Sequence, residues 1–460
     1  MSTTPPGSPV RVGGDRCPGA LRLHEAADGY LARIRVPGGL LTSDQVIALA
    51  DAASTLGDGQ LSLTARGNLE IRGLDAADGD RLSRLLDSAG LLPSATHERI
   101  RNIVASPAAG LDGSGVSGSL VDAVRALDRL LCDTARAADL SGRFLFGLDD
   151  GRGDVLALQP DVAAQWVSTD HVEVSLGRTP VLVLPAEAML AALTVAAVAF
   201  LNARDAVRET AWRITELVNP TATVAAIVGA LRASFPQARP VTGSPVSAPV
   251  ETHPVTPAPG PLGADAVALP LLLGTAPATT WLTLASIAAS ADGLVRTTPG
   301  RSVVIAGLTA DARRELLDQA GELGLITHAG DPALGVSACT GLPGCASSAR
   351  DVRGDVLDAL ATVVRDGHTR APARLPVHVS GCERRCGHPR SPHREAVAIP
   401  AEHPDARPYA TTPADGDSAA GAPLGDGHDV LVDLIGARPA EHPRHLDRPD
   451  SPELPQGTQP

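Results

Sequence analysis

Two pairs of cysteines constrain this chain more than any other feature. Cys339 and Cys345 stand in "ACTGLPGCASSARD" with five residues between them, and Cys382 and Cys386 in "VSGCERRCGHP" with three. Both pairs lie in turn-rich sequence whose glycines let the backbone fold around a bulky inorganic core and aim amides at its sulfides. Four thiolates are what a [4Fe–4S] cube needs, one per iron, and hydrogen bonds to the sulfurs tune its potential. A structural zinc site is the first alternative, although its pairs more often have two-residue gaps. Unrelated free thiols are the second. Any fold that uses all four must carry two distant loops to one point. Of the other two cysteines, Cys132 sits in an amphipathic stretch, "ALDRLLCDTARAADL", and reads as a core residue. Cys17, in "DRCPGAL", reads by default as a buried structural thiol.

A chain of 460 residues exceeds one hydrophobic core, so two or more domains are expected. Aromatic residues make up only 2%, which leaves Leu, Val, Ile and Ala to fill the cores and argues against base-stacking platforms. A formal charge of −13 lacks the basic footprint of a nucleic-acid binder, so no nucleic-acid partner is expected. Such a protein can still hold an anion if it gathers its arginines in one pocket. The N-terminus has no apolar segment of the kind that marks a signal peptide. The longest apolar run, Met189 to Leu201, is 13 residues, short of a bilayer span, and reads as a buried helix with no membrane partner. A cytoplasmic location is expected, where structural disulfides are rare.

The local pattern alternates strands and helices. A strand, a "PGG" turn at Pro37 to Gly39, a helix from Thr42 and the strand-like "LSLTARGNLEIRGL" are followed by a helical stretch at Leu82–Leu92. "RNIVASP" reads as a strand running into the glycine-rich loop "GLDGSGVSGS", and Leu120, Val121, Val124, Leu127 and Leu131 fall at helical spacing. "FLFGLDDGRGDVLAL" and "VEVSLGRTPVLVLP" each read as two strands joined by a turn. Residues 237–263 form a Pro-rich linker, after which the pattern restarts: "LEIRGL" lies 234 residues before "VVIAGL", and "RTTPGRSVVIAGL" mirrors "LTARGNLEIRGL". Beyond Pro400 the chain reads as a flexible tail with a strand at Val430–Ile435.

The cysteine spacing, together with "IRVPGG", "LTARGNLEIRGL", "RNIVASP" and "RFLFGLDDG" in that order across roughly residues 16–400, resembles the sulfite and nitrite reductase haemoprotein family. That resemblance implies an α+β fold duplicated about a pseudo-two-fold: two ferredoxin-like halves and two larger α/β pieces, with the active site at the pseudo-axis. The corresponding boundaries are a leader at 1–15, a ferredoxin-like half at 16–96, and an α/β domain at 97–236. After the 237–263 linker come the second half at 264–328, a [4Fe–4S]-binding domain at 329–400 and the tail at 401–460. "DRCPGALRLHEAADGYLARIRVPGG" and "SGCERRCGHP" look most like the family's precorrin-3B synthase branch, a cobalamin-pathway group. This branch implies an O2-dependent monooxygenase reaction on precorrin-3A, with hydroxylation at C20 and closure of a γ-lactone. It also implies a [4Fe–4S] cluster, a mononuclear non-haem iron and NADH as indirect electron donor, and does not favour sirohaem. No G-x-G-x-x-G opens a helix after a strand, so electrons are expected from an external ferredoxin or flavoprotein.

The reductases surround their small anion with two arginines and two lysines. By motif, Arg33 and Arg101 keep the arginines, Arg143 replaces the first lysine and Leu145 the second, which weakens the case for anion reduction. A polycarboxylate tetrapyrrole needs several fixed cations, and Arg33, Arg35, Arg66, Arg72, Arg101 and Arg143 all fall in the motif blocks; arginine's planar fork suits carboxylates. Strand geometry puts Arg33 with Arg35, and Arg66 with Arg72, on common faces. Solvated strand-edge residues are the alternative. For a second iron, His388 and then His393 are the nearest ligand candidates, though no two-histidine, one-carboxylate spacing stands out. The competing functions are a sirohaem-dependent sulfite or nitrite reductase and a non-catalytic iron–sulfur electron carrier.

Overall fold

The computed structural model describes residues 18–116, 118–218, 220–241, 256–367, 375–389, 392–400, 409–412 and 427–436. The leader at 1–15, Cys17 and the middle of the linker lie outside these residues. Thr42 closes the short strand Leu40–Thr42 and caps the helix Ser43–Leu56: its hydroxyl accepts from the Gln45 amide while the Gln45 side chain accepts from the Thr42 N–H. The strands Gln60–Leu63 and Leu69–Leu74 follow as an antiparallel pair. Leu61, Leu63, Leu69 and Ile71, at alternate positions, go to the core.

After the linker the same unit is built again: strand Ala266–Pro270, short strand Thr275–Pro277, helix Ala278–Ala289, strands Leu294–Thr297 and Ser302–Ile305. The repetition reaches backbone detail. Gly59 and Gly293 have φ of 78° and 79°, Gly73 and Gly307 of 69° and 77°, and the members of each pair are 234 residues apart. A Cβ on Gly73 would meet Asp58 at 3.1 Å, and one on Gly307 would meet Asp292 at 3.0 Å. Each unit lends its short strand to the other. Leu40–Thr42 pairs antiparallel with Leu294–Thr297, and Thr275–Pro277 with Gln60–Leu63, which completes two five-stranded sheets. Helices Ser43–Leu56 and Ala278–Ala289 pack on each other, and the two units share one core that includes Leu49, Ile71, Trp281 and Val303.

The larger pieces are also matched. In one, the strands Ile103–Ala105, Phe146–Asp149 and Val162–Trp166 run parallel, and His171–Leu176 adds antiparallel. In the other, Val336–Ala338, Val377–Ser380 and Arg394–Ala398 run parallel and Tyr409–Thr412 adds antiparallel. A helix joins the first two strands in each, Val121–Asp133 and Val352–Arg365. Parallel neighbours end at the same sheet edge, so the loops that follow them meet there. Cys339 directly follows Val336–Ala338 and Cys382 lies two residues beyond Val377–Ser380. Sheet topology alone thus brings the two cysteine loops together.

Several local expectations change. "FLFGLDDGRGDVLAL" is one strand, Phe146–Asp149, followed by a loop and a 3-10 turn at Leu156–Leu158. Its next strand pairs parallel, so a tight hairpin is excluded. The Asp149 carboxylate instead gathers the amides of Gly151, Gly153 and Val155. The glycine-rich loop after Ser106 is tied down, with Arg152 bridging Asp150 and Asp112 and the Val116 amide donating to the Asp150 carbonyl at 2.7 Å. The apolar run at Met189 belongs to an 18-residue helix, Met189–Ala206. By length and composition alone the stretch Ala186–Ala206 is long and apolar enough to cross a membrane. Here Leu193, Ala197, Phe200 and Leu201 bury against the sheet. Linker ends 239–240 and 260–262 form short strands. In the tail, Gly427–Gly436 is a helix rather than a strand: Val430, Leu431, Leu434 and Ile435 repeat at helical spacing and pack on Val352–Arg365.

Candidate functional site

The two cysteine loops are stapled through Gly381. Its carbonyl accepts from the Ala349 amide at 2.8 Å, and its amide donates to the Cys339 sulfur at 3.1 Å. The Cys339 amide in turn donates to the Val379 carbonyl at 3.0 Å. Cys339, Cys345 and Cys382 are half-buried and Cys386 is exposed. The Cys386 thiol is pushed up from its usual value by partial desolvation and then by the nearness of Cys382, Cys339 and Cys345. Cys382, Cys339 and Cys345 thus all lie within electrostatic reach of Cys386. An amide aimed at one sulfur and glycine-lined turns fit a [4Fe–4S] cube. Cys132 stands apart, half-buried in its helix, with its thiol raised by burial and by Asp128.

A cavity of about 260 Å³ lies at the junction of the first ferredoxin-like unit and its larger partner. Arg33, Arg35, Arg66 and Arg143 line it, with Thr64, Asn68 and Gly142. Arg33 is held by Glu70, its Nε donating at 2.8 Å. Arg35 donates to the carbonyls of Arg99 and Gly142. Arg143 lies 3.7 Å from Glu216 and 5.6 Å over the Trp212 ring. Four guanidiniums around so small a volume make a site for anions.

Two arginines of the expected set are elsewhere. Arg101 is 4% exposed, donates through two nitrogens to Asp128 at 2.6 Å each and through a third to the Leu91 carbonyl. It is spent on holding the domain and does not line the cavity. Arg72 grips Asp28 and donates to the Gly344 carbonyl at 2.7 Å, so it braces the Cys345 loop. Arg66 lies in the turn between strands, which removes the shared strand face with Arg72. Leu145, at the position of the second lysine, is 2% exposed and packs with Val104 and Val155.

Cavity and cluster loops are linked by a short chain of charge. Glu70, which binds Arg33, is also the acidic neighbour that steadies Arg301 and Arg353. Arg353 donates to the Cys339 carbonyl at 3.4 Å. Arg301 and Arg353 were not singled out from the sequence. The signal was there: Arg301 stands in "TTPGRS", the repeat's mate of the Arg66 turn.

The histidines form no second metal site among the described residues. His388 is exposed and its Nδ1 donates to the Arg385 carbonyl at 2.8 Å. His393 stacks on His388 with centroids 5.9 Å apart. The third ring, His378, is fully buried with both nitrogens engaged, Nδ1 to Ser337 at 2.8 Å and Nε2 to the Cys386 carbonyl at 3.2 Å. Burial, and then Arg301, push its pKa down to about 4, so it is neutral. The only close-set ligand group among the described residues is Asp149, Asp150 and Asp154. Amides, Arg152 and Ser106 already occupy those carboxylates. A two-histidine, one-carboxylate iron site is therefore not assembled there.

Comparison with known proteins places the fold. Residues 23–89 match the model described as the nitrite/sulfite reductase ferredoxin-like half domain. The NirA protein of Mycobacterium tuberculosis superposes with a TM-score of 0.66 at 18% identity, covering 82% of this chain and 72% of that one. A ferredoxin–nitrite reductase of Synechococcus elongatus is 34% identical over 133 residues, 27% of this chain and 25% of its own. A precorrin-3B synthase of Sinorhizobium sp is 29% identical over 399 residues, 84% of this chain and 80% of the relative. The chain thus carries a ferredoxin-like half domain of the nitrite/sulfite reductase type within a fold like that of NirA. Of these relatives, the synthase is matched over four fifths of its length and the Synechococcus reductase over a quarter.

Proposed function

We propose that this protein is a precorrin-3B synthase: an oxidoreductase that hydroxylates precorrin-3A at C20, using O2, and closes the γ-lactone in aerobic cobalamin biosynthesis. The observation that carries this reading is the near full-length similarity to a relative of that name. The cavity supports it. Arg33, Arg35, Arg66 and Arg143 would take carboxylates of the macrocycle as planar forks that stay charged at any working pH. Glu70 and Glu216 hold Arg33 and Arg143, and backbone carbonyls hold Arg35, before the ligand arrives, which lowers the ordering cost of binding.

Leu145 argues against the sulfite or nitrite alternative. A position that would need a cation is sealed in an apolar cluster, so a small anion would meet fewer charges there. A bare electron carrier has no use for four arginines around a cavity. Cys339, Cys345, Cys382 and Cys386 would hold the [4Fe–4S] cluster, which supplies single electrons when bound. His378 and Gly381 position the loops around it. Those electrons would start from NADH and arrive through a separate ferredoxin or flavoprotein. No step is assigned to a mononuclear iron, since the described residues do not fit one.

The test is the absorption spectrum of anaerobically purified protein with a sulfite assay beside it. The reading predicts a broad iron–sulfur shoulder that bleaches on reduction and no consumption of sulfite. A sirohaem spectrum with sulfite consumed under a viologen donor overturns it.

A further inference from the structure

The two ferredoxin-like units differ at one turn in a way that the duplication makes visible. In the first unit the turn between the paired strands is Thr64 to Asn68, and Gly67 takes the left-handed conformation at φ 71°. In the second unit the turn is Thr298 to Ser302, and the residue 234 positions after Gly67 is Arg301, at φ 58°. Left-handed backbone is natural for glycine and costs an arginine. Strain of this kind persists where the fold holds a side chain for a purpose.

The side chain is placed with care. Among the described residues the Arg301 guanidinium has no hydrogen bond and no ion pair, although it is half-buried and desolvated. Its nearest electrostatic company is Arg353, a like charge, and Glu70, which is already committed to Arg33. One terminal nitrogen lies 3.3 Å from where a Cβ on Gly387 would be, just past the last cluster cysteine. Any larger residue at 387 would crowd it. The two turns touch at the pseudo-two-fold, where the Thr297 hydroxyl donates to the Gly67 carbonyl at 2.6 Å. So Arg66 lines the cavity from one unit, and Arg301 stands across Glu70 from the other, beside the cluster loop. A cavity of about 260 Å³ falls short of the usual ligand pocket and can take only an edge of a macrocycle.

We infer that Arg301 is the second unit's anion anchor, binding a carboxylate on the part of the tetrapyrrole that lies over the cluster loop. The inference rests on the proposed tetrapyrrole substrate and adds to it a specificity-determining residue. An unpaired, partly desolvated guanidinium costs free energy until a carboxylate arrives, and the bidentate pair then formed is strong.

The test is equilibrium binding of uroporphyrin III, a stable polycarboxylate macrocycle, to the full-length cluster-loaded protein, followed by porphyrin fluorescence. Arg301→Asn is the main variant, because asparagine tolerates the left-handed backbone and loss of binding then reports the guanidinium. The expected result is about 10- to 100-fold weaker binding, the loss of one charge-assisted hydrogen-bonded pair, with the cluster's paramagnetic spectrum and reduction potential unchanged. If Arg301→Asn loses its brown colour, Arg301→Gln makes the same comparison. Wild-type affinity in a neutral, cluster-loaded variant overturns the inference and leaves the proposed substrate standing. Unchanged affinity with a shifted reduction potential assigns Arg301 to the cluster and also overturns it. A wild-type protein that binds no polycarboxylate macrocycle overturns the substrate and the anchor together.

Discussion

Gly381→Ala tests how the two cysteine loops are held. Gly381 is not in left-handed backbone, so alanine adds only a methyl group. That methyl would lie 1.8 Å from the Ser348 hydroxyl oxygen and 2.8 Å from the Ser348 Cβ. Neither can swing away freely, since Ser348 is 9% exposed and its hydroxyl donates to the Arg350 carbonyl at 2.8 Å. The loops must therefore part, which stretches the Ala349–Gly381 bond and lifts the Gly381 amide from the Cys339 sulfur. Overpacking of this size costs about 1–3 kcal/mol, well below typical domain stability, so the chain still folds. Loss of a group that orients a ligand weakens metal retention by about 10- to 100-fold. The assay is iron and acid-labile sulfide per chain after anaerobic reconstitution and a timed chelator challenge, with the urea midpoint measured alongside. Ser348→Gly in the same chain removes both clashing atoms and should restore the iron. A Gly381→Ala protein that holds its iron like wild type would refute the staple.

Cys382→Ser and Cys339→Ser should each lose the brown colour while Cys132→Ser keeps it; three brown proteins would mean a different ligand set. Arg213→Ala should cost about 3–5 kcal/mol in urea unfolding, because it leaves the fully buried Asp161 carboxylate without its ion-pair partner; a loss under about 1 kcal/mol would contradict this. Asp154 is buried, and desolvation raises its pKa to about 7. Its folded value lies above the unfolded one, so the stability it contributes is full below about pH 4 and is lost as pH rises through 7. Asp154→Asn should remove about 2–3 kcal/mol of that slope between about pH 5 and 8; equal slopes in both proteins would show that Asp154 ionises normally.

Much of this fold was legible because two kinds of pattern agree. The repeat of "LEIRGL" in "VVIAGL" marks the duplication, and the cysteine spacing demands two converging loops. What the sequence hid is mostly tertiary. Nothing local reveals that Leu40–Thr42 and Thr275–Pro277 change places, since each is only three residues and finds its partner 200 or more residues away. Arg101 and Arg72 look like cavity residues from their motifs, yet Asp128 and Asp28 claim them, and an ion pair between distant positions leaves no trace in a linear reading. Val430–Ile435 reads as a strand on its own, whereas the spacing of its apolar residues suits the helix Gly427–Gly436 that packs on Val352–Arg365. Arg301 stands where the repeat has Gly67, a substitution visible only when the two turns are set residue against residue.

The most direct measurement follows oxygen itself. Cluster-loaded protein, precorrin-3A and a reduced ferredoxin are exposed to isotopically labelled dioxygen, and the tetrapyrrole is weighed by mass spectrometry. The expected product is heavier by one labelled oxygen atom, formed by wild type and not by Cys382→Ser. An unchanged macrocycle, from a protein shown to hold its cluster, would contradict it.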